Sequence, residues 1–153
     1  MKNLLIVAHC PSANTQKLAD LLDNASISVE FDNLTVKRLS PFNTTEDDIR
    51  SADGILLFTT ENFGYMSGAL KDMFDRIYYP CLEQTQGTPY CLCVRAGKDG
   101  TGTINAVESI AKGMKWSKVQ APLVLRGTWQ ISFEEKTHQY AMTFAAGLDT
   151  GIY

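Results

Sequence analysis

The chain contains few of the residues from which metal centres and disulfide frameworks are built. Of its 153 residues, four are cysteines and two are histidines. The cysteines have no C-x-x-C spacing and are too sparse for a disulfide scaffold, so we expect free thiols. They are Cys10, Cys81, Cys91 and Cys93. Because His9 and His138 lie far apart and outside any H-E-x-x-H frame, the sequence predicts no metal site.

Basic charge and long apolar runs are also scarce. The 14 Lys and Arg residues stand against 17 Asp and Glu, which gives a net charge of −3 and little material for a nucleic-acid-binding face. The apolar run after Lys2 ends at His9, which is too short for a secretion signal or a membrane span. We expect a cytoplasmic protein whose partners are small molecules, not nucleic acids or membranes.

The chain does have the composition of a globular protein. Hydrophobic residues make up 44% and charged residues 20% of the sequence, which excludes collagen-like, coiled-coil and disordered chains. Two separate cores would leave each half of the 153 residues near the lower limit of independent stability. We therefore predict a single domain over residues 1–153.

Short apolar runs alternate with segments of helical periodicity, as in folds where helices connect parallel strands. Most runs are continuous, which is typical of strands buried on both faces. The run at 34–39 instead alternates and carries Lys37 and Arg38, which favours an edge position. The predicted strands are Leu4 to Ala8, Leu34 to Leu39, Ile55 to Phe58, Tyr90 to Val94 and Leu123 to Leu125.

Helices are predicted between these strands. A short one starts at Thr44 or Thr45, whose hydroxyl can cap it. Ser132, with Glu135 three residues later, predicts a capping box at the start of the last helix. The order of elements is that of a doubly wound α/β sheet, in which ligands bind beyond the carboxyl ends of the strands. The four longer helices are centred on 18–25, 70–78, 104–114 and 140–148.

Three loops at that edge carry polar or flexible residues. Ser12, Asn14 and Thr15 precede the first helix, where they either cap it or help its free N–H groups to bind a phosphate. The loop 59–68 suits a planar ring system, although Ser67 could simply cap the next helix; we favour binding. The glycine-rich loop 96–103 allows close approach of a ligand, or is a surface loop without one. After the last strand, Trp129 could be a lid, a partner contact or packing.

Together these loops resemble the flavodoxin-like superfamily, and in particular its NAD(P)H-dependent FMN reductase and quinone reductase branch. Residues 12–19 are similar to that branch's S/G-x-N-T-x-x-L-A phosphate loop. Residues 52–72 with Asp75 resemble its third strand and the following helix, and residues 142–153 resemble its terminal helix. The resemblance implies a three-layer sandwich around a five-stranded parallel sheet of strand order 2-1-3-4-5.

The resemblance also implies the cofactor and its contacts. FMN would be reduced by NAD(P)H and would pass electrons to a quinone or similar small acceptor, with no side chain acting as a catalytic acid or base. Relatives are often homodimers or homotetramers. The FMN phosphate would be held by Ser12, Asn14 and Thr15. The isoalloxazine ring would be lined by Thr59, Thr60, Glu61, Asn62, Phe63 and Gly64, with Ala96 and Gly97 near its pyrimidine edge.

The sequence departs from the branch in two places. Its first loop begins His9-Cys10-Pro11-Ser12 instead of the G-S-P-R type, so without an arginine we expect weaker FMN binding. The loop 96–103 lacks the aromatic residue that covers the flavin in electron-carrying flavodoxins. An uncovered ring face leaves room for a nicotinamide or a quinone.

Other functions remain open from the sequence. A flavodoxin-type electron carrier and a cofactor-free binding module would share the fold. A low-molecular-weight phosphatase or arsenate reductase would use Cys10 as nucleophile, but Gln16 stands where the C-x5-R frame needs arginine. A phospho-receiver would need acidic residues where His9-Cys10 and Thr59-Thr60 stand, and a dinucleotide-binding Rossmann domain would need G-x-G-x-x-G in the first loop.

Overall fold

A parallel β-sheet forms the centre of the fold. The computed structural model describes residues 1–27 and 31–153. Within them the sheet has the order β2-β1-β3-β5. Both β6 and β7 pair in parallel with β5, on the side of β5 away from β3. The short β4 runs antiparallel to β3. The strands are β1 (Lys2–Ala8), β2 (Leu34–Leu39), β3 (Gly54–Asn62), β4 (Tyr65–Met66), β5 (Pro89–Ala96), β6 (Ser117–Lys118) and β7 (Leu123–Arg126).

Helices cover both faces of this sheet. Successive residues of each buried strand point to opposite sides, so Leu5 and Val7 of β1 join one apolar cluster while Leu4 and Ile6 join the other. The first cluster contains α2, α3 and α4, and the second contains α1 and α5. The helices are α1 (Ala13–Ser26), α2 (Glu46–Ser51), α3 (Gly68–Cys81), α4 (Thr101–Gly113) and α5 (Ser132–Asp149), with a 3-10 turn η1 (Pro41–Asn43).

The predicted fold class is confirmed. All five predicted strands are present, β2 lies at an edge of the described sheet, and β6 and β7 together occupy the place of the predicted fifth strand. The arrangement is therefore the flavodoxin-like order 2-1-3-4-5, with β4 and β6 as additional strands of two residues each. Thr45 caps α2, as expected, and accepts a hydrogen bond from the N–H of Asp48.

The predicted capping box at the start of α5 is wrong. Ile131 precedes the helix in a helical conformation, and no side chain caps it. The N–H of Phe133 already donates to the carbonyl of Gln130, so the chain turns before Ser132 is reached. Because Ser132 lies inside the first turn, its hydroxyl cannot take the capping position.

The structure also describes the state of the cysteines, the apolar character of the helices and the grouping of metal-ligating side chains. All four cysteines are free thiols, as predicted. None of the helices within residues 1–27 and 31–153 is both long and apolar enough to cross a membrane. Nor do three or more His, Cys, Asp or Glu side chains come together there in a group that could hold a metal ion.

Candidate functional site

The carboxyl ends of β1, β3 and β5 lie side by side at one edge of the sheet. The N–H of His9 donates to the carbonyl of Phe58 at 3.0 Å, which extends the pairing of β1 with β3 to the first residue of the first loop. Thr60 of β3 is paired with Arg95 of β5. The chain leaves β1 toward one helical layer and β3 toward the other. The three loops predicted to bind a ligand are thus neighbours at the switch point of the sheet.

The loop before α1 is shaped by two of its predicted ligands. Ser12 is the N-cap, and its Oγ accepts from the N–H of Thr15 at 3.2 Å. Thr15 Oγ1 accepts from the N–H of Ser12 at 2.9 Å and donates to the Ser12 carbonyl at 3.0 Å. Since Thr15 is only 4% exposed, its hydroxyl stabilises the loop from within. Both side chains therefore act mainly on the conformation of the loop.

The donors that remain for an anion are backbone groups and one amide. Ala13 and Asn14 occupy the first helical positions, whose N–H groups have no carbonyl partner within the helix. The Asn14 side chain is exposed beside them. Lys17, one turn further along, is paired with Glu134 of α5 at 2.7 Å. The loop fits a phosphate held by N–H groups, the helix dipole and Asn14, without a free cation from these residues.

The second loop is a tight β3–β4 hairpin. Phe63 and Gly64 form its two-residue turn with φ values of 53° and 71°, and the Phe63 side chain is fully exposed at the tip. Thr59 is completely buried, and its Oγ1 accepts from the N–H of Ser67 at 3.1 Å. Thr60 Oγ1 donates to Asn62 Oδ1 at 2.9 Å. Of these predicted ring contacts, Thr59 is internal to the loop, while Asn62, Phe63 and Gly64 face outward.

Glu61 connects this hairpin to the third loop. Its Oε1 accepts from the N–H of Lys98 and its Oε2 from the N–H of Gly100, both at 2.8 Å. Gly100 is the N-cap residue of α4 and has a φ of 73°, but it has no side chain with which to cap the helix. The carboxylate of Glu61, which lies in β3, caps the N-terminus of α4 instead. The Thr103 hydroxyl donates to the Tyr65 carbonyl at 3.0 Å. We call residues 61–65 and 98–103 together the loop clamp.

The space beside the loop clamp is open where a ring is predicted. A β-carbon added at Gly64 or Gly97 would meet nothing within 4 Å. Ala96 is fully buried, and its carbonyl accepts from the N–H of Gly127 at 2.9 Å, so it anchors the base of the loop. Exposed backbone at Gly97 and at the hairpin turn fits a planar ring that carries heteroatoms at its edge. The residues present therefore fit FMN.

Cys10 and His9 do not form a nucleophilic site. Burial raises the pKa of the Cys10 thiol, so the thiolate that a phosphatase mechanism needs is disfavoured. Burial also lowers the pKa of His9, which keeps its ring neutral. Gln16 donates to Asp20 at 3.0 Å and supplies no positive charge. The geometry gives no support to the phosphatase alternative.

Two residues at the same edge stabilise the loop after β7. The guanidinium of Arg95 donates to the carbonyls of Ala96, Leu125 and Gly127 at 3.0, 3.0 and 2.6 Å. It also lies 5.0 Å above the ring of Phe133. Trp129 contacts the same ring edge-on at 5.6 Å between centroids. Of the three roles open to Trp129, packing is the one observed here, and the role of Arg95 was not predicted from the sequence.

Comparison with known proteins agrees with this geometry. The sequence model of a family described as NADPH-dependent FMN reductase matches residues 1–136. A flavodoxin from Aquifex aeolicus (strain VF5) is 26% identical over 110 residues, which cover 72% of this chain and 58% of that protein. The chain thus spans little more than half the length of this curated relative.

Solved structures share the fold at low sequence identity. A flavodoxin, WrbA-like protein from Agrobacterium tumefaciens superposes with a TM-score of 0.75 at 15% identity, covering 95% of this chain and 96% of that chain. An NADPH-quinone reductase from P. pentosaceus superposes with a TM-score of 0.66 at 16% identity, covering 95% and 98%. With a family match that extends over 1–136, the chain belongs to the NADPH-dependent FMN reductase family, a family of FMN-binding oxidoreductases.

Proposed function

We propose that the protein is a reductase in which bound FMN carries electrons from NAD(P)H to a quinone or a similar small acceptor. The observation that carries this proposal is the open space beside the loop clamp. A β-carbon placed on Gly97 or Gly64 would have no neighbour within 4 Å, and the loop 96–103 contains no aromatic residue. A nicotinamide must approach the flavin face directly for hydride transfer, so an uncovered face is a requirement of the reaction.

The residues of this chain bind and orient the cofactor. The N–H groups of Ala13 and Asn14 would hold the phosphate, whose charge the positive end of the α1 dipole would offset. The turn N–H groups of Phe63 and Gly64 would donate to the ring edge and would stabilise negative charge there. Bound FMN supplies the electron-accepting chemistry. No side chain is required to move a proton, which agrees with the neutral His9 and protonated Cys10.

A stepwise experiment tests the proposal. Purified protein is first titrated with FMN while flavin fluorescence is recorded, and quenching is expected on binding. NADPH or NADH is then added anaerobically, and loss of the flavin absorbance is expected with one of them. A benzoquinone added last should restore the absorbance, with one quinone reduced for each NAD(P)H oxidised. FMN that binds but is reduced by neither nucleotide would contradict the reductase proposal.

An electron carrier of the flavodoxin type is the second candidate. It is supported by the similarity in sequence to the Aquifex aeolicus flavodoxin. Carriers reach their protein partners through strongly charged faces, whereas this chain has a net charge of only −3. A carrier would accept electrons from a protein reductase one at a time and would not oxidise NAD(P)H by itself. A binding module without cofactor would fail the FMN titration, so the same series separates all three functions.

A further inference from the structure

A cavity of about 340 Å³ lies at the amino end of β5, the end of the sheet opposite to the loop clamp. It is formed by the start of β5, the last turns of α4 and the chain that leads from α4 into β6. We call it the lysine cavity. Its volume lies at the lower end of the range for small-molecule sites. Its lining residues are Tyr90, Glu108, Lys112, Lys115, Trp116 and Lys118.

The lysine cavity is basic, although the chain as a whole has a net charge of −3. Three of its six lining residues are lysines and one is a glutamate. Lys118 Nζ lies 2.9 Å from Glu108 Oε1, so this pair is neutral as a whole. Lys112 and Lys115 are exposed and form no ion pair with a carboxylate of residues 1–27 or 31–153. Two uncompensated positive charges therefore line one cavity.

A buried hydroxyl opens into the same cavity. Tyr90 is only 3% exposed, and its hydroxyl makes no hydrogen bond with the part of the chain that the structure describes. The oxygen is nevertheless not sealed from solvent, so it faces the cavity that Tyr90 lines. Burial, reinforced by the Glu108 carboxylate, raises the pKa of Tyr90 to about 12. The phenol is thus protonated at neutral pH and can donate to a ligand.

Buried packing holds the aromatic wall of the lysine cavity in place. The ring of Trp116 lies 6.0 Å from that of Tyr90 and 6.1 Å from that of Phe74, measured between centroids. Its Nε1 donates to the buried Thr85 hydroxyl at 3.0 Å. A fixed wall reduces the ordering that a ligand must impose on binding.

Lys115 stands at a position where helices commonly have glycine. Its φ is 60°, in the left-handed region, and the N–H of Trp116 after it donates to the carbonyl of Ala111 at 3.0 Å. The N–H of Lys115 donates to the Lys112 carbonyl at 3.0 Å, and its carbonyl accepts from the N–H of Gly87 at 2.8 Å. Backbone groups thus complete the end of α4, and what the Lys115 side chain adds is its charge.

We propose that the lysine cavity binds a phosphate dianion, free or as the monoester of a small molecule, through Lys112, Lys115 and the Tyr90 hydroxyl. Two unpaired ammonium groups match the two charges of one phosphate group, and the phenol supplies a donor to a further oxygen. A monocarboxylate would leave one ammonium group without a partner. Because the cavity lies at the opposite end of the sheet from the flavin site, this inference does not depend on the proposed function.

Amide NMR spectra distinguish the two ends of the sheet in one titration. Protein with excess FMN is titrated separately with glycerol phosphate, inorganic phosphate and succinate. We expect saturable shifts at the amides of Tyr90, Lys115 and Lys118 with both phosphates, whereas the amides of Ala13 and Asn14 report binding at the phosphate loop. Tighter binding of glycerol phosphate identifies a phosphorylated small molecule as the ligand, and equal binding identifies free phosphate. If FMN fails to bind, the cavity amides still test this inference separately.

Substitutions test the residues. Lys115→Gly and Tyr90→Phe should each weaken phosphate binding about tenfold, the effect of one hydrogen bond to a charged group. Neither should lower the urea midpoint, because glycine is favoured at the φ of residue 115 and the Tyr90 hydroxyl has no partner within residues 1–27 and 31–153. Lys136→Gln, at an exposed position of α5, removes the same charge outside the cavity and should leave binding unchanged.

Several results would overturn the proposal. The first is the absence of saturable shifts at the cavity amides with either phosphate. The second is succinate binding as tightly as the phosphates, which would show that no phosphate group is selected. Equal weakening in Lys136→Gln and Lys115→Gly would show that net charge alone attracts the anion. Unchanged binding in Tyr90→Phe would show that the buried hydroxyl takes no part.

Discussion

Gly102, in the first turn of α4, lies directly against the carbonyl oxygen of Gly64 in the β3–β4 turn. A β-carbon at position 102 would overlap that oxygen. This backbone contact and the two hydrogen bonds from Glu61 join the hairpin to the N-terminus of α4. Two loops that are far apart in sequence are therefore held against each other, which favours a preorganised space for the flavin ring.

Gly102→Ala should displace the loop clamp. The methyl group meets backbone and not the flexible end of a side chain, so the hairpin must shift. We expect a loss of about 1 to 3 kcal/mol in the free energy of unfolding, together with weaker FMN binding. Urea denaturation and an FMN titration measure the two effects. Gly68→Ala is the matched control, because it also lies in the first turn of a helix but has open space around it; equal effects of both substitutions would contradict the prediction.

Glu61→Gln should loosen the loop 98–100. The amide has only one acceptor oxygen and places an NH2 group against an N–H donor, so one of the two hydrogen bonds is lost. Hydrogen bonds to a charged group contribute about 1.5 to 3 kcal/mol. Hydrogen exchange at the Lys98 and Gly100 amides should accelerate, and FMN should bind more weakly. Glu135→Gln, at an exposed position of α5, should leave both unchanged; unaltered exchange in Glu61→Gln would refute the role of the carboxylate.

The main strands could be predicted from the sequence because burial on both faces requires continuous apolar runs. The two-residue strands β4 and β6 could not, since no periodicity exists over two residues and each forms only against its partner. The motif of Ser132 and Glu135 matched a capping box, yet the chain had already turned at Gln130. Local sequence predicts a cap only where the preceding backbone is extended.

The position of the candidate site could also be predicted, because the carboxyl ends of parallel strands meet at one edge. The roles of single residues could not. Glu61 was expected at the ring, but its partners are backbone groups 37 and 39 residues away, which no spacing reveals. Arg76 likewise donates to the carbonyls of Thr44, just after η1, and Pro41, within η1, which are 32 and 35 residues distant. Such contacts depend on tertiary packing and leave no pattern in the sequence.

Tyr140→Phe should lower the free energy of unfolding, because its hydroxyl pairs with the backbone of β5. On the side of β5 away from β3, Leu92 falls in the gap between β6 and β7 and has no strand partner. The Tyr140 hydroxyl fills this gap: it accepts from the Leu92 N–H at 3.1 Å and lies 3.0 Å from the Leu92 carbonyl. Removing it leaves buried backbone groups unpaired, at about 1 to 3 kcal/mol. Urea denaturation measures the loss. Tyr79→Phe, at an 81% exposed ring, should cost nothing measurable, and equal stabilities of the two variants would disprove the role.

Stability should decline in alkaline solution because of a buried thiol. Burial raises the pKa of Cys93 from 9.0 to about 12. Between these values the thiol is ionised in the unfolded chain and protonated in the folded one, so the unfolded state binds fewer protons and the free energy of unfolding falls as pH rises. The stabilising contribution is complete below pH 9 and is lost progressively up to about pH 12.

The change in slope on substitution identifies the group, because burial also raises the pKa of Cys91 well above 9.0 and this thiol adds to the same decline. One proton corresponds to about 1.4 kcal/mol per pH unit, and Tyr90, whose pKa is raised to about 12 by burial, adds to the decline from pH 10 upward. Urea denaturation in reducing buffer, at pH values from about 8 to about 11, should give a shallower slope for Cys93→Ala than for the natural chain between pH 9 and pH 10. Cavity formation alone would lower the stability of Cys93→Ala equally at every pH. Parallel curves would therefore show that the thiol does not cause the alkaline decline.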